Sequence, residues 1–265
     1  MKNEKPLVTV IIPVYNGQDT LQAAVDSALA QEVPLYVYII DDCSRDGTGA
    51  LLEQMQSDPR IRVFYNETSL GAGGSRNRGV REAQTEYVAF LDADDLWRKG
   101  KLRAQLSVMK KRGTVLCCTG RELMRENGEA TGQLIGVKKT ITWKDLLRHN
   151  SINCSSVLVR RDAAAAFPME HEDAHEDYIT WMKILKAYGP AAGVNRPYLL
   201  YRSGSGGKSG SKLQSARMTF LSYRYMGFGR IRSAICFGSY ALNGVLKYSL
   251  AKWRSARRKD SNARC

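Results

Sequence analysis

No stretch of this sequence reaches the roughly 18 uncharged apolar residues that a membrane-spanning helix needs. The longest uncharged stretch near the C-terminus, Ser233 to Leu246, has 14 residues and is broken by serine, glycine and asparagine. The N-terminal apolar run from Leu7 to Val14 contains Thr9 and Pro13 and has no small-residue cleavage site after it, so it does not read as an export signal. The six cysteines (Cys43, Cys117, Cys118, Cys154, Cys236, Cys265) include no C-x-x-C pair. In an unexported chain they are expected as free thiols. No internal repeat is present, and neither a Walker A loop nor a G-x-G-x-x-G turn occurs, which removes the two best-marked nucleotide-loop fingerprints.

Acids are scarce at one end. Residues 212–265 hold twelve Lys or Arg and a single acid, Asp260, so that segment carries eleven of the chain's +14 charges and residues 1–211 only +3. A near-neutral body with a basic tail points to an anionic partner for the tail, either a membrane surface or a nucleic acid. Apolar residues make up 43% of the 265-residue chain, enough for a packed core and too many for a disordered protein.

Strand and helix signals alternate through the first hundred residues. Leu7–Pro13, Leu35–Ile40, Ile61–Phe64 and Tyr87–Leu91 are short β-rich apolar runs. Between them, Gly17–Gln31, Thr48–Met55 and Ala72–Ala83 show helical spacing. This order predicts an α/β fold with a mostly parallel central sheet flanked by helices on both faces. Strands are also expected at Thr114–Cys118 and Ser155–Arg160, and a helix over Glu176–Tyr188. The serine- and glycine-rich run Ser203–Ser211 reads as a flexible loop closing a domain over 1–211. The tail, 212–265, reads as two amphipathic helices, Leu213–Met226 and Ile231–Trp253.

In such sheets ligands bind at the carboxyl ends of the strands. Here those ends carry Tyr15-Asn16, Asp41-Asp42 and Asp92-Ala93-Asp94-Asp95. Paired hard carboxylates at Asp92 and Asp94 suit Mg²⁺ or Mn²⁺ bridging to substrate phosphates. A carboxylate of Asp41-Asp42 is suited to accept hydrogen bonds from a base N–H or from ribose hydroxyls. The glycine-rich run Gly71–Gly74 reads as an opening through which a nucleotide approaches the backbone, with Arg76 near base or phosphates. Glu176 and Asp177, opening a helix, leave two readings: ordinary complementarity to the helix dipole, or a general base.

In combination and in order, Val10-Ile-Ile-Pro-Val-Tyr-Asn16, Asp41-Asp-Cys-Ser-Arg-Asp-Gly-Thr48, Ser75-Arg-Asn-Arg-Gly79, Phe90-Leu-Asp-Ala-Asp-Asp95, Glu176-Asp177 and Tyr201-Arg202 resemble the inverting family 2 glycosyltransferases of the GT-A fold, of the kind that builds bacterial surface polysaccharides. The resemblance runs from Leu7 to about Ser211. It implies that Tyr15 stacks on a nucleotide base, Asp42 binds that base, Asp92 holds ribose, and Asp94 holds Mn²⁺ or Mg²⁺ on the donor diphosphate. Pro13, Asn16, Arg76 and Ala93 complete the implied donor-binding set. Asp177 would be the catalytic base with Glu176 beside it, and Trp97 would lie near the sugar and acceptor pocket. The implied reaction is displacement with inversion from a nucleotide-sugar, a UDP-sugar, to a glycan acceptor, lipid-linked. The implied location is cytoplasmic, peripheral on the inner face of the cell membrane, with the tail on the anionic lipid surface and no nucleic acid bound.

One departure stands out: the run after Tyr201-Arg202 has no histidine, and Lys208 is left either as a diphosphate contact or as part of a hinge. Two other functions fit parts of the pattern. A sugar-phosphate nucleotidyltransferase would need a basic Gly-rich loop after the first strand, where this chain has Pro13-Val-Tyr-Asn16. A non-enzymatic adaptor would bind nucleic acid or membrane through the tail, with Tyr223, Tyr225 and Phe228 interleaved among arginines.

Overall fold

The structure is a computed structural model that describes residues 5–203 and 212–243. The loop position Lys208, and Leu246, Leu250 and Trp253 of the second expected tail helix, lie outside the described residues.

In chain order the elements are β1 (Val8–Val14), α1 (Leu21–Leu29), β2 (Leu35–Asp41), α2 (Thr48–Met55), β3 (Ile61–Tyr65), α3 (Gly71–Glu82), β4 (Tyr87–Phe90), β5 (Leu96–Trp97), α4 (Lys101–Arg112), β6 (Leu116–Met124), β7 (Ala130–Ile135), β8 (Thr140–Ile141) and α5 (Trp143–Arg148). There follow a 3₁₀ turn at Cys154–Ser156, β9 (Leu158–Arg160), α6 (Arg161–Ala166), α7 (Glu176–Tyr188), β10 (Ala191–Arg202) and α8 (Lys212–Tyr225). A further helix occupies 230–243.

One sheet runs β3-β2-β1-β4-β9-β6-β10-β5, with β7 on β6 and β8 on β10. Its first four strands are all parallel, as the alternation predicts. The second half is mixed: β9 is antiparallel to both β4 and β6, and β6 and β10 are parallel to each other. Alternation along the strands builds two cores. Val10 and Ile12 of β1 and Val37 and Ile39 of β2 face α1, α2 and α4. Ile11 and Ile40 face the opposite side, beneath α3, α6 and α7. In α1 the buried residues Leu21, Ala24, Val25 and Ala28 follow the i, i+3, i+4, i+7 spacing that directed the helix onto the sheet.

The first tail helix is packed onto the body. Tyr223 of α8 is fully buried, and its hydroxyl donates to the Leu147 carbonyl at 2.9 Å and lies 3.2 Å from the Tyr178 hydroxyl of α7. Burial pushes both phenols above their ordinary range, so both remain neutral donors. The helix at 230–243 docks through Ser233, Cys236, Phe237 and Tyr240. Its other side leaves Ile231 (80% exposed), Ile235 and Leu242 bare. Among the described residues, Cys43, Cys117, Cys118, Cys154 and Cys236 form no disulfide. Among the described residues, no helix is long and apolar enough to cross a membrane.

Candidate active site

The parallel register aligns Val14 with Asp41 and Ile11 with Phe90, so the carboxyl ends of β1, β2 and β4 open on one edge. Asn16 stitches two of these ends together. It adopts a left-handed backbone (φ 52°), its N–H donates to Ser44 Oγ at 2.9 Å, and its side-chain oxygen accepts from Arg45 N at 2.8 Å. Asparagine tolerates this conformation where most residues would not. The clasp leaves the Tyr15 ring 58% exposed on the rim, free to stack on a planar ligand. Pro13 lies past the last ladder pair with β4, where its missing N–H costs that ladder nothing.

Asp42 is committed to the protein itself, which departs from the base-binding role the resemblance implies. Its Oδ1 accepts from Asn66 Nδ2 (2.7 Å), Leu70 N (2.7 Å) and Ser75 Oγ (3.2 Å), and its Oδ2 from Ser69 Oγ (2.8 Å) and Gly71 N (2.9 Å). Five donors engage the lone pairs of a carboxylate. Burial alone would raise this carboxyl, but the Leu70, Asn66, Ser69 and Gly71 hydrogen bonds outweigh it and hold it below the ordinary range. Asp42 anchors the start of α3.

The glycine run is likewise packed closely by other parts of the chain. A side chain on Gly73 would come within 2.9 Å of Glu176 Cγ and 3.3 Å of the Met169 carbonyl. Gly71 holds φ +67° against the side chain of Glu172. The glycines let the segment ahead of α7 approach α3. Asn77 secures that approach: its Nδ2 donates to Met169 O and its Oδ1 accepts from Met169 N, both at 2.8 Å. Arg78 donates to Tyr65 O (2.6 Å) and Asn66 Oδ1 (2.7 Å), and Gly79 leaves room for Ile11, 2.5 Å from where a Cβ would stand. The Ser75–Gly79 motif is thus a latch between two strand ends and the helix that carries Glu176-Asp177. Asn77, the residue whose role local sequence reasoning missed, was inside the motif and marked only by its amide.

Arg76 sits at the centre of the acids. Its Nη2 donates to Asp92 Oδ1 at 2.5 Å and its Nη1 lies 3.7 Å from Glu176 Oε1, with the side chain buried. Burial opposes its charge, but Cys154, Asp92 and Glu176 hold the proton on. The structure therefore gives Arg76 carboxylate partners on the two sides of the site. Asp92 takes its backbone support from Ser155 Oγ at 3.1 Å. Asp94 is exposed and Ala93 half-buried at the same edge. Desolvation and then the Asp92 charge push the Asp94 carboxyl up. Asp95 is buried, accepts from Arg202 N at 2.9 Å, and has no hydrogen-bond partner on Oδ2. Arg202 Nε also donates to Asp94 O at 2.9 Å, bracing the aspartate turn against β10.

Asp177 lies in the first turn of α7 and accepts from Tyr178 N at 2.7 Å. Desolvation and the Glu176 charge push its carboxyl up to about 6, against the opposing pull of Arg76 and His175. A carboxyl in that range can take a proton near neutrality.

Trp97 does not line a pocket. It is 5% exposed because β5 pairs with β10 in a register that turns Trp97 inward beside Leu199. Its Nε1 donates to Ser155 O at 2.7 Å, and Lys101 Nζ lies 3.7 Å over its ring. Lys101 is itself buried with no hydrogen-bond partner on Nζ, and burial pushes its amine down to about 7.

Among the described residues, no three His, Cys, Asp or Glu side chains converge as a ready metal cage. The aspartate turn nevertheless suits a hard divalent cation: burial and then the neighbouring carboxylate charges push the Asp94 and Asp95 carboxyls up, and Asp95 Oδ2 lacks a hydrogen-bond partner. Asp94 is the exposed carboxylate that would hold such an ion, with ligand oxygens completing the shell.

Comparison with known proteins gives this edge a context. A family model described as "Glycosyl transferase family 2" matches residues 9–166. The chain is 37% identical over 250 residues to the putative teichuronic acid biosynthesis glycosyltransferase TuaG of Bacillus subtilis, covering 93% of this chain and 99% of the relative. It is 34% identical over 183 residues to the UDP-Glc:alpha-D-GlcNAc-diphosphoundecaprenol beta-1,3-glucosyltransferase WfgD of Escherichia coli, covering 68% and 70% of the two chains. Among solved structures, S. aureus TarS 1–349 in complex with UDP-GlcNAc superposes with a TM-score of 0.68 at 19% identity, over 89% of this chain and 71% of TarS 1–349. A mannosyltransferase from Pyrobaculum calidifontis in complex with GDP-Man and Mn²⁺ gives 0.65 at 16% identity, over 96% and 76%.

Proposed function

The chain belongs to glycosyl transferase family 2, and from that premise we propose that it moves a sugar from a UDP-sugar to a hydroxyl of a lipid-linked glycan, with inversion, in the synthesis of a surface polysaccharide. The observation that carries this reading is the pairing of Arg76 with Asp92 on the strand-end side and with Glu176, the neighbour of Asp177, on the α7 side. The name of the Escherichia coli relative WfgD supports a nucleotide-sugar donor and a diphosphoundecaprenol-linked acceptor, and that of TuaG a role in surface polysaccharide synthesis.

In this mechanism Tyr15 stacks on the base and Asp92 meets the ribose. Asp177 accepts the proton of the acceptor hydroxyl as that oxygen bonds to the anomeric carbon. The bond from that carbon to the diphosphate oxygen breaks, and its electron pair leaves with UDP. One displacement from the opposite face converts an α-linked donor into a β-linked product. Mn²⁺ or Mg²⁺ held at Asp94 would offset charge on the leaving diphosphate. Arg76 keeps Asp92 and Glu176 from repelling one another and lowers the charge density around Asp177.

The same reading places the protein on the inner face of the membrane. The bare side chains Ile231, Ile235 and Leu242 and the adjacent Arg230 and Arg232 suit an interface rich in anionic lipid. Ile235→Glu should weaken co-sedimentation with phosphatidylglycerol vesicles and spare UDP binding. The enzymatic test is UDP release from a panel of UDP-sugars, with Mn²⁺ and diphosphoundecaprenol-linked glycans as acceptors. No release on any of them, together with unchanged UDP affinity in Asp94→Ala, would defeat the proposal.

A further inference from the structure

The segment 169–175, which delivers Glu176 and Asp177, is gripped from two sides. On one side Asn77 of α3 holds both the N–H and the carbonyl of Met169 at 2.8 Å. On the other, α8 closes over it. The Tyr225 ring stacks on the His171 ring with centroids 3.7 Å apart and planes within 6°. The Tyr225 hydroxyl donates to Asp173 Oδ2 at 2.8 Å, and His175 N donates to Ser222 Oγ at 3.3 Å. His171 holds φ +70°, a left-handed backbone state that is uncommon for non-glycine residues. The turn closes on Ala174 N donating to His171 O at 2.9 Å, one residue before His175 caps α7.

We propose that Tyr225 is a positioning residue for catalysis: its stack on His171 and its hydrogen bond to Asp173 fix the segment that sets Asp177 in place. α8 is then part of the acceptor side of the active site as well as the link to the membrane-facing helix at 230–243. The inference rests on the reading of Asp177 as the base. It has a consequence for the tail that anchoring alone does not have. Removing 212–265 takes away the grip on 169–175, so turnover is lost even when the acceptor is dispersed in detergent and membrane binding is not needed.

The test compares the full chain with Tyr225→Ala and Tyr225→Phe. Three readouts are taken: amide hydrogen exchange over 169–177, UDP affinity in Mn²⁺, and turnover of UDP-sugar with a detergent-dispersed acceptor. Tyr225→Ala is expected to speed exchange in that segment while the β1, β2 and β4 peptides stay protected. UDP affinity should hold within about twofold, and kcat should fall at least tenfold. Tyr225→Phe, which keeps the stack, should recover most of the protection and most of kcat. Unchanged exchange at 169–177 in Tyr225→Ala overturns the inference, and so does unchanged kcat. If the wild-type chain turns over none of the UDP-sugars, the proposed activity fails, and the exchange result alone still decides whether Tyr225 holds the segment.

Discussion

Arg76 and Asp92 share a hydrogen bond of 2.5 Å beneath the aspartate turn, and the other end of the same guanidinium reaches toward Glu176. One buried cation therefore serves carboxylates contributed by the turn after β4 and by α7, more than eighty residues apart. Arg76→Leu leaves those carboxylates uncompensated and removes the charge that pulls the Asp177 carboxyl down. Turnover should fall at least tenfold, and the acid limb of the pH–kcat/KM profile should move to higher pH. A profile that stays in place would show that Arg76 does not act on the base.

The five donors around Asp42 make a prediction about stability. Asp42→Asn turns an NH₂ toward groups that are themselves donors, and should cost about 3 kcal/mol or more in urea unfolding. The folded carboxyl lies below its reference value of 3.8. Its contribution is therefore full above that pH and declines as pH falls through the lower, folded value. The gap between wild type and Asp42→Asn should narrow in strong acid.

Lys101 is expected to be a liability to the fold. Its amine is buried beneath Trp97 with no hydrogen-bond partner, and its pKa falls from 10.5 to about 7. Between those values the unfolded chain binds the proton and the folded chain does not, so stability rises with pH across that window. Lys101→Met should raise stability by about 2 kcal/mol at pH 7 and by much less above pH 10.5. Thermal melts at the two pH values check both the sign and the window.

Much of this architecture was legible in the sequence because its signals are local. The β-branched runs and helical spacings gave β1 to β4, α2 and α7 nearly residue for residue. The rule that ligands meet the carboxyl ends of parallel strands brought Tyr15, Asp92 and Asp94 to one edge. What stayed hidden depends on distant partners. Nothing near Gly71–Gly74 announces that Met169 and Glu176 will pack against it, so the glycines read as space for a ligand. Nothing near Trp97 reveals the pairing with Leu199 that turns it into the core. Asp42 looks like an open carboxylate until Asn66, Ser69 and Leu70 fold over it. The tail's charge points to an anionic partner and carries no sign that Tyr223 packs its first helix onto the body.

The account stands most directly on Asp177→Asn. Its side chain keeps the shape of the carboxyl and cannot accept the acceptor's proton. UDP binding in Mn²⁺ should match wild type. UDP release with a UDP-sugar and a diphosphoundecaprenol-linked acceptor should fall about 100-fold or more. The wild-type rate should itself decline as pH drops through about 6, where the Asp177 carboxyl takes up its proton. An Asp177→Asn variant that releases UDP at close to the wild-type rate, with the same acid limb, would contradict the account.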